Sequence, residues 1–147
     1  MRGKMRGKYS IVAFLLSFAM ILLSACSSAA KLTEYELGDD KVSSINAVLG
    51  EDRKVAGVST GKDNDVDYKQ YTYESSSVME DLIAYATYLQ DNGWIATMDV
   101  DFSATSGEAQ FGIPSVDEGK ILIISIAFDN GKYAIRFNKL EGELTMY

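Results

Sequence analysis

Three carboxylates stand at alternate positions in one short stretch of this chain, Asp63, Asp65 and Asp67. Calcium takes roughly six to eight hard oxygen ligands, and alternating aspartates in a turn supply several of them. These three occupy the first, third and fifth places of a twelve-residue calcium loop, and Glu74 falls at the twelfth. The sixth place holds Tyr68, where such a loop needs glycine for its sharp turn. Residues Tyr71 to Glu74 also read as strand, which carries Glu74 away. The segment Gly61–Asp67 is therefore expected to be an acidic hairpin loop. Calcium held by Asp63, Asp65 and Asp67 in some other geometry is the alternative.

Other carboxylates come in pairs. Asp99 and Asp101 lie two apart on one strand face, and Asp117 and Glu118 follow in a later loop. Two carboxyls do acid–base work when they converge in a cleft and one is kept protonated. Spacing along a strand shows neither condition, so these are expected to be solvated charges. A small Asp- or Glu-based hydrolase is the least favoured reading. The chain has no histidine. That removes the Ser-His-Asp and Cys-His nucleophile systems and most zinc sites. No phosphate-binding glycine loop, nucleophile elbow or dinucleotide fingerprint is present. The expectation is a protein that is not an enzyme.

Nine tyrosines and a single tryptophan are the remaining chemistry. Lined along a groove, Tyr71, Tyr73, Tyr85, Tyr88 and Trp94 could stack on sugars or peptides. Their spacing fits core positions better, with Tyr88 half-exposed.

A helix is predicted over Val78–Asp91. Val78, Leu82, Tyr85, Ala86 and Leu89 share one face, Ser77 and Glu80 suit a capping box, and Asn92-Gly93 suits the stop. Strands dominate elsewhere. Tyr68–Glu74, Trp94–Phe102 and Tyr133–Asn138 alternate, as does Ala109–Ile113, which ends at the only proline, Pro114. Ile121–Phe128 is apolar nearly throughout and reads as a central strand. Asn130-Gly131 reads as a two-residue hairpin turn into the last strand. Val42–Leu49 suits a short helix closed by Gly50, and Lys54–Ser59 suits a strand paired with Tyr68–Glu74. The expected fold is α+β, one main helix packed on one face of a largely antiparallel, meander-like sheet.

The N-terminus says where such a domain works. Arg2, Lys4, Arg6 and Lys8 precede an apolar stretch from Tyr9 to Leu23, the build of a secretory signal. Leu23-Ser24-Ala25-Cys26 follows, and it resembles the lipobox of bacterial lipoprotein precursors. The resemblance covers the first 26 residues only, and Cys26 is the only cysteine. It implies diacylglyceryl on the Cys26 sulfur, cleavage after Ala25 and acylation of the new amine. One acyl chain anchors marginally, and two or three hold firmly. The division implied is a signal peptide over 1–25, a lipidated tether over 26–40 and one globular domain over 41–147. The place implied is extracytoplasmic, with the membrane as a partner through Cys26 and an envelope protein or wall component as a second.

Charge agrees with that placement. The whole chain carries −7. Removing residues 1–25 leaves ten basic residues against all 21 acidic ones, a formal charge of −11. Nucleic acid is not an expected partner of so acidic a surface. With Cys26 committed to lipid, the core alone must hold the domain together. A non-enzymatic binding module at the cell envelope is the reading that results.

Overall fold

The computed structural model describes residues 32–144. The expected signal segment 1–25 and Cys26 lie outside them. In chain order the elements are β1 (Glu34–Leu37), β2 (Asp40–Ser43), α1 (Ile45–Leu49), β3 (Lys54–Asp63), β4 (Val66–Glu74), α2 (Val78–Asp91), β5 (Ile95–Ala96), β6 (Gly107–Pro114), β7 (Lys120–Asp129) and β8 (Lys132–Glu141). Strands β3 to β8 form one sheet in the order β3-β4-β8-β7-β6-β5, with every neighbouring pair antiparallel. The fold is α+β and mostly antiparallel. The meander runs through β5, β6, β7 and β8, and the β3–β4 hairpin joins beyond β8. Helix α2 carries the chain from β4 across to β5.

Alternation along each strand gives the sheet two different faces. On the first, Tyr73, Phe111, Ile124 and Phe137 pack in one cluster with Leu82, Tyr85 and Leu89 of α2 and with Tyr35 of the β1–β2 hairpin. Fully burying a side chain of this size is worth about 1.5–3 kcal/mol. The second face carries Ser59, Gln70, Arg136, Ser125 and Gln110.

Helix α2 has the expected bounds, and its buried face holds Leu82, Tyr85, Ala86 and Leu89. Its start differs from expectation. Ser77 makes no side-chain capping bond. Ser75 does the work instead: its hydroxyl accepts from the Ser77 N–H at 2.9 Å and donates to Asp81 at 2.7 Å. Asp81 belongs to the buried face as well, at 1% exposure.

The expected tether up to Asp40 is shorter, because Glu34–Leu37 pairs with Asp40–Ser43. Tyr35, Leu37 and Val42 are buried while Glu36 and Lys41 face out, a period too short to stand out in the sequence. The helix expected from Val42 begins at Ile45. Ser44 caps it by accepting from the Ala47 N–H at 3.2 Å, and Gly50 at φ 69° closes it. Tyr35 is the hub of this corner. Its hydroxyl bonds that of Tyr73 at 2.6 Å and accepts from the Ile45 N–H at 3.2 Å. Its ring stacks on Tyr71 at 4.6 Å between centroids. Tyr35→Phe keeps the ring and orphans two buried polar groups. A loss of about 2 kcal/mol is expected, read as a fall of roughly 5–10 °C in Tm.

The strand expected over Trp94–Phe102 is only the two residues of β5. After Thr97 N–H bonds the Gln110 carbonyl, the chain leaves the sheet in turns. Val100 and Phe102 still pack on the core, so an irregular loop produces the alternation of a strand. Strands β7 and β8 meet at the expected Asn130-Gly131 turn.

Candidate functional site

The expected acidic loop is mostly strand. Asp63 pairs with Val66 across a turn of two residues, Asn64 and Asp65, which hold φ at 52° and 65°. Asparagine and aspartate tolerate this left-handed backbone, so the strands run to the tip. Asp63 therefore points to the second face, where its carboxylate lies 3.5 Å from Arg136 Nη1. Asp67 pairs with Lys62 at 3.0 Å. Glu74, at the far end of β4, pairs with Lys54.

Asp65, Asp67 and Asp117 do come around one hollow of about 390 Å³, but Lys120 and Lys139 stand among them. Among the described residues, no group of three or more His, Cys, Asp or Glu is placed to hold a metal ion.

The remaining carboxylates have structural duties or face water. Asp99 is exposed. Asp101 accepts from the backbone and hydroxyl of Ser103, which hold its pKa below the usual value. Asp117 accepts from Lys139 at 2.7 Å, and Glu118 is exposed. Burial would raise the pKa of Asp40, but Lys139, Ser115 and the Val116 N–H outweigh it and hold the carboxyl low. Asp81 follows the same rule, with Arg53, Ser75 and Tyr133 outweighing burial. All three resolved shifts run opposite to what a general acid requires.

The aromatic residues singled out by spacing form no open groove. Tyr71, Tyr73, Tyr85 and Trp94 are buried. Tyr85 donates to the Ser43 carbonyl at 2.8 Å, and half-exposed Tyr88 stacks on its ring.

Two features that spacing did not reveal remain. One is a polar row across the second face. Register places Ser59 beside Gln70, Gln70 beside Arg136, Arg136 beside Ser125 and Ser125 beside Gln110, on five successive strands. Arg136 Nε donates to Gln70 Oε1 at 3.0 Å, and its guanidinium carbon lies 4.1 Å from the centre of the Tyr68 ring. Burial lowers the Arg136 pKa, against the opposite pull of Tyr68 and Asp63. Asn138, beside Tyr68, donates to the Asp67 carbonyl. Gln70, Ser125, Arg136 and Asn138 are at most 1% exposed, and Gln110 is 4%. Each residue was legible as polar on an alternating strand, but its neighbours across the sheet were not.

The second feature is the outer edge of β3. This ten-residue strand ends the sheet, and no described strand pairs with its outer side. A bulge lies between Val55 and Gly57, and lysines stand at 54 and 62. Beside the edge is a hollow of about 480 Å³, lined by Leu37, Thr60, Gly61, Lys62, Tyr68 and Lys69 among others.

No protein-family model matches this chain, and neither a curated protein nor a solved structure is similar to it at a significant level.

Proposed function

We propose that this protein is a non-enzymatic binding module, held outside a bacterial membrane by lipid on Cys26, and that an envelope protein or wall component contacts it along β3. The observation that carries the reading is the free outer side of that strand. Unpaired backbone N–H and C=O groups along an edge are a template for another strand. Added strands take affinity from these groups and specificity from side-chain hollows beside them. Bulges and lysines are the usual protection of an edge. Here they flank the uncharged stretch Gly57–Gly61 and leave it open. The anchor is supported by the lipobox resemblance, and the absence of catalysis by the downward shifts of Asp40, Asp81 and Asp101.

The test is a photo-crosslinking residue at Thr60 in cells, with the same residue at Ile83 on the exposed side of α2 as control. A dominant crosslinked species at Thr60, absent at Ile83 and identified by mass spectrometry, is expected. Equal capture at both positions, or none at Thr60, overturns the reading.

A further inference from the structure

The second face of the sheet has a hydrogen-bonding pattern that its own fold does not complete. Among the described residues, three buried polar atoms there have no hydrogen-bond partner: Gln110 Nε2, Ser125 Oγ and Asn138 Oδ1. Leaving such groups unpaired is costly, and native proteins rarely do so. They lie close together. Gln110 and Ser125 are direct cross-strand neighbours, and Asn138 is two residues along β8 from Arg136, which faces Ser125.

The three atoms differ in what they need. An amide nitrogen only donates, an amide oxygen only accepts, and a hydroxyl does both. The Asn138 assignment is set by its neighbour, because the Asp67 carbonyl requires a donor and so leaves the amide oxygen over. An anion would serve Gln110 and Ser125 and repel Asn138 Oδ1. An ammonium would serve Ser125 and Asn138 and find a donor facing it at Gln110. A ligand hydroxyl both donates and accepts, and so serves all three. A ring with several hydroxyls also has C–H edges, and the half-exposed Tyr68 offers an aromatic wall beside Asn138.

We infer that, in the processed chain lacking residues 1–25, the row from Ser59 to Gln110 binds a saccharide, with hydroxyls bonded at Gln110, Ser125 and Asn138. At about 4.8 Å between strands the row is roughly 19 Å long, enough for several sugar rings in line. Entry is from the β3 end, where Ser59 and Tyr68 are partly exposed. Arg136 is a positioning residue. Its contacts with Gln70, Asp63 and Tyr68 hold the middle of the row in register. This site is separate from the outer edge of β3.

The chemistry of Cys26 makes the test direct. Once its sulfur carries lipid, Ser125→Cys introduces the only free thiol. The lipidated variant, purified in detergent, is treated with a small maleimide, and the modified peptide is located by mass spectrometry. Modification at position 125 is expected, slowed at least tenfold by saturating N-acetylglucosamine tetrasaccharide or cellotetraose. Protection by the first alone assigns the acetamido sugars of wall glycan, and protection by both assigns the ring hydroxyls. A thiol at 125 that does not react, or that reacts at one rate with and without either sugar, overturns the proposal. Two further variants, Gln110→Leu and Asn138→Leu, are each made in the Ser125→Cys chain. Both should keep the far-ultraviolet circular dichroism spectrum and lose the protection. Modification found at Cys26 reports instead that lipidation has not occurred, and it faults the anchor while leaving the row to be judged at position 125.

Discussion

Asp81→Ala is expected to cost about 3 kcal/mol or more, the largest loss from any single polar residue in the domain. Removing one partner of a buried ion pair strands the other and typically costs about 3–5 kcal/mol, a large share of the roughly 5–15 kcal/mol that holds a domain folded. Asp81 accepts from Arg53 Nε at 2.7 Å and Nη2 at 2.8 Å, from the Ser75 hydroxyl at 2.7 Å and from the Tyr133 hydroxyl at 3.0 Å. Arg53 stands just before β3, Ser75 just after β4, and Tyr133 at the start of β8. One carboxylate therefore ties the first turn of α2 to three strands. The Arg53 guanidinium remains partly exposed, at 18%, so water repays some of its loss and the lower end of the range applies.

Acid should act on the same contact. The Asp81 carboxyl titrates below its unfolded value of about 3.9. Its contribution is complete at neutral pH, begins to fall as pH drops below about 4 and is lost through the folded pKa. Urea midpoints measured from pH 7 to pH 2 should decline more steeply in the natural protein than in Asp81→Ala. Parallel curves would show that other carboxylates set the acid limit. A double-mutant cycle with Arg53→Met separates the pair from the Ser75 and Tyr133 bonds.

Cys26→Ala is expected to move the protein wholly from the membrane fraction to the soluble one. Each buried methylene of an acyl chain contributes about 0.8 kcal/mol, and two chains together resist release. At −11, the processed chain has no net attraction to anionic headgroups. Among the described residues, no helix is long and apolar enough to cross a membrane. Fractionation followed by carbonate washing reads the outcome. A variant that still pellets and resists the wash would show that residues other than Cys26 provide the anchor.

The sequence carried the elements better than their neighbours. Helix α2 was legible because its apolar stripe, its acidic first turn and Asn92-Gly93 all agree. Strand β7 was legible from an apolar run that only a doubly buried strand needs. The β1–β2 hairpin was not, because two four-residue strands give too few alternations to rise above a polar linker. The loop after β5 misled for the opposite reason. Val100 and Phe102 turn inward at strand spacing with no strand beneath them. The turn at Asn64-Asp65 placed Asp63 and Asp67 on opposite faces, which composition alone could not reveal. The polar row was hidden by distance. Gln70 and Arg136 meet across 66 positions of chain, and only the β4–β8 pairing makes them neighbours. A faint signal was present, since Gln110, Ser125 and Arg136 are polar on strands whose other faces are apolar. Asp81 was hidden similarly, as a charged residue in the first turn of a helix ordinarily faces water.

The β1–β2 hairpin stands outside the six-stranded sheet, and this has a mechanical consequence for a chain tethered at Cys26. Any tension between membrane and bound partner enters the domain at β1. Its ladder closes only on β2, and β2 is pinned to the body by Asp40, which accepts from Lys139, from the Ser115 hydroxyl and from the Val116 N–H. Tyr35 supplies a second rivet through Tyr73. The hairpin thus lies in the load path as a detachable handle. Traction that breaks these two fastenings extends the tether by the length of the hairpin, while the sheet that carries both proposed contact surfaces stays folded.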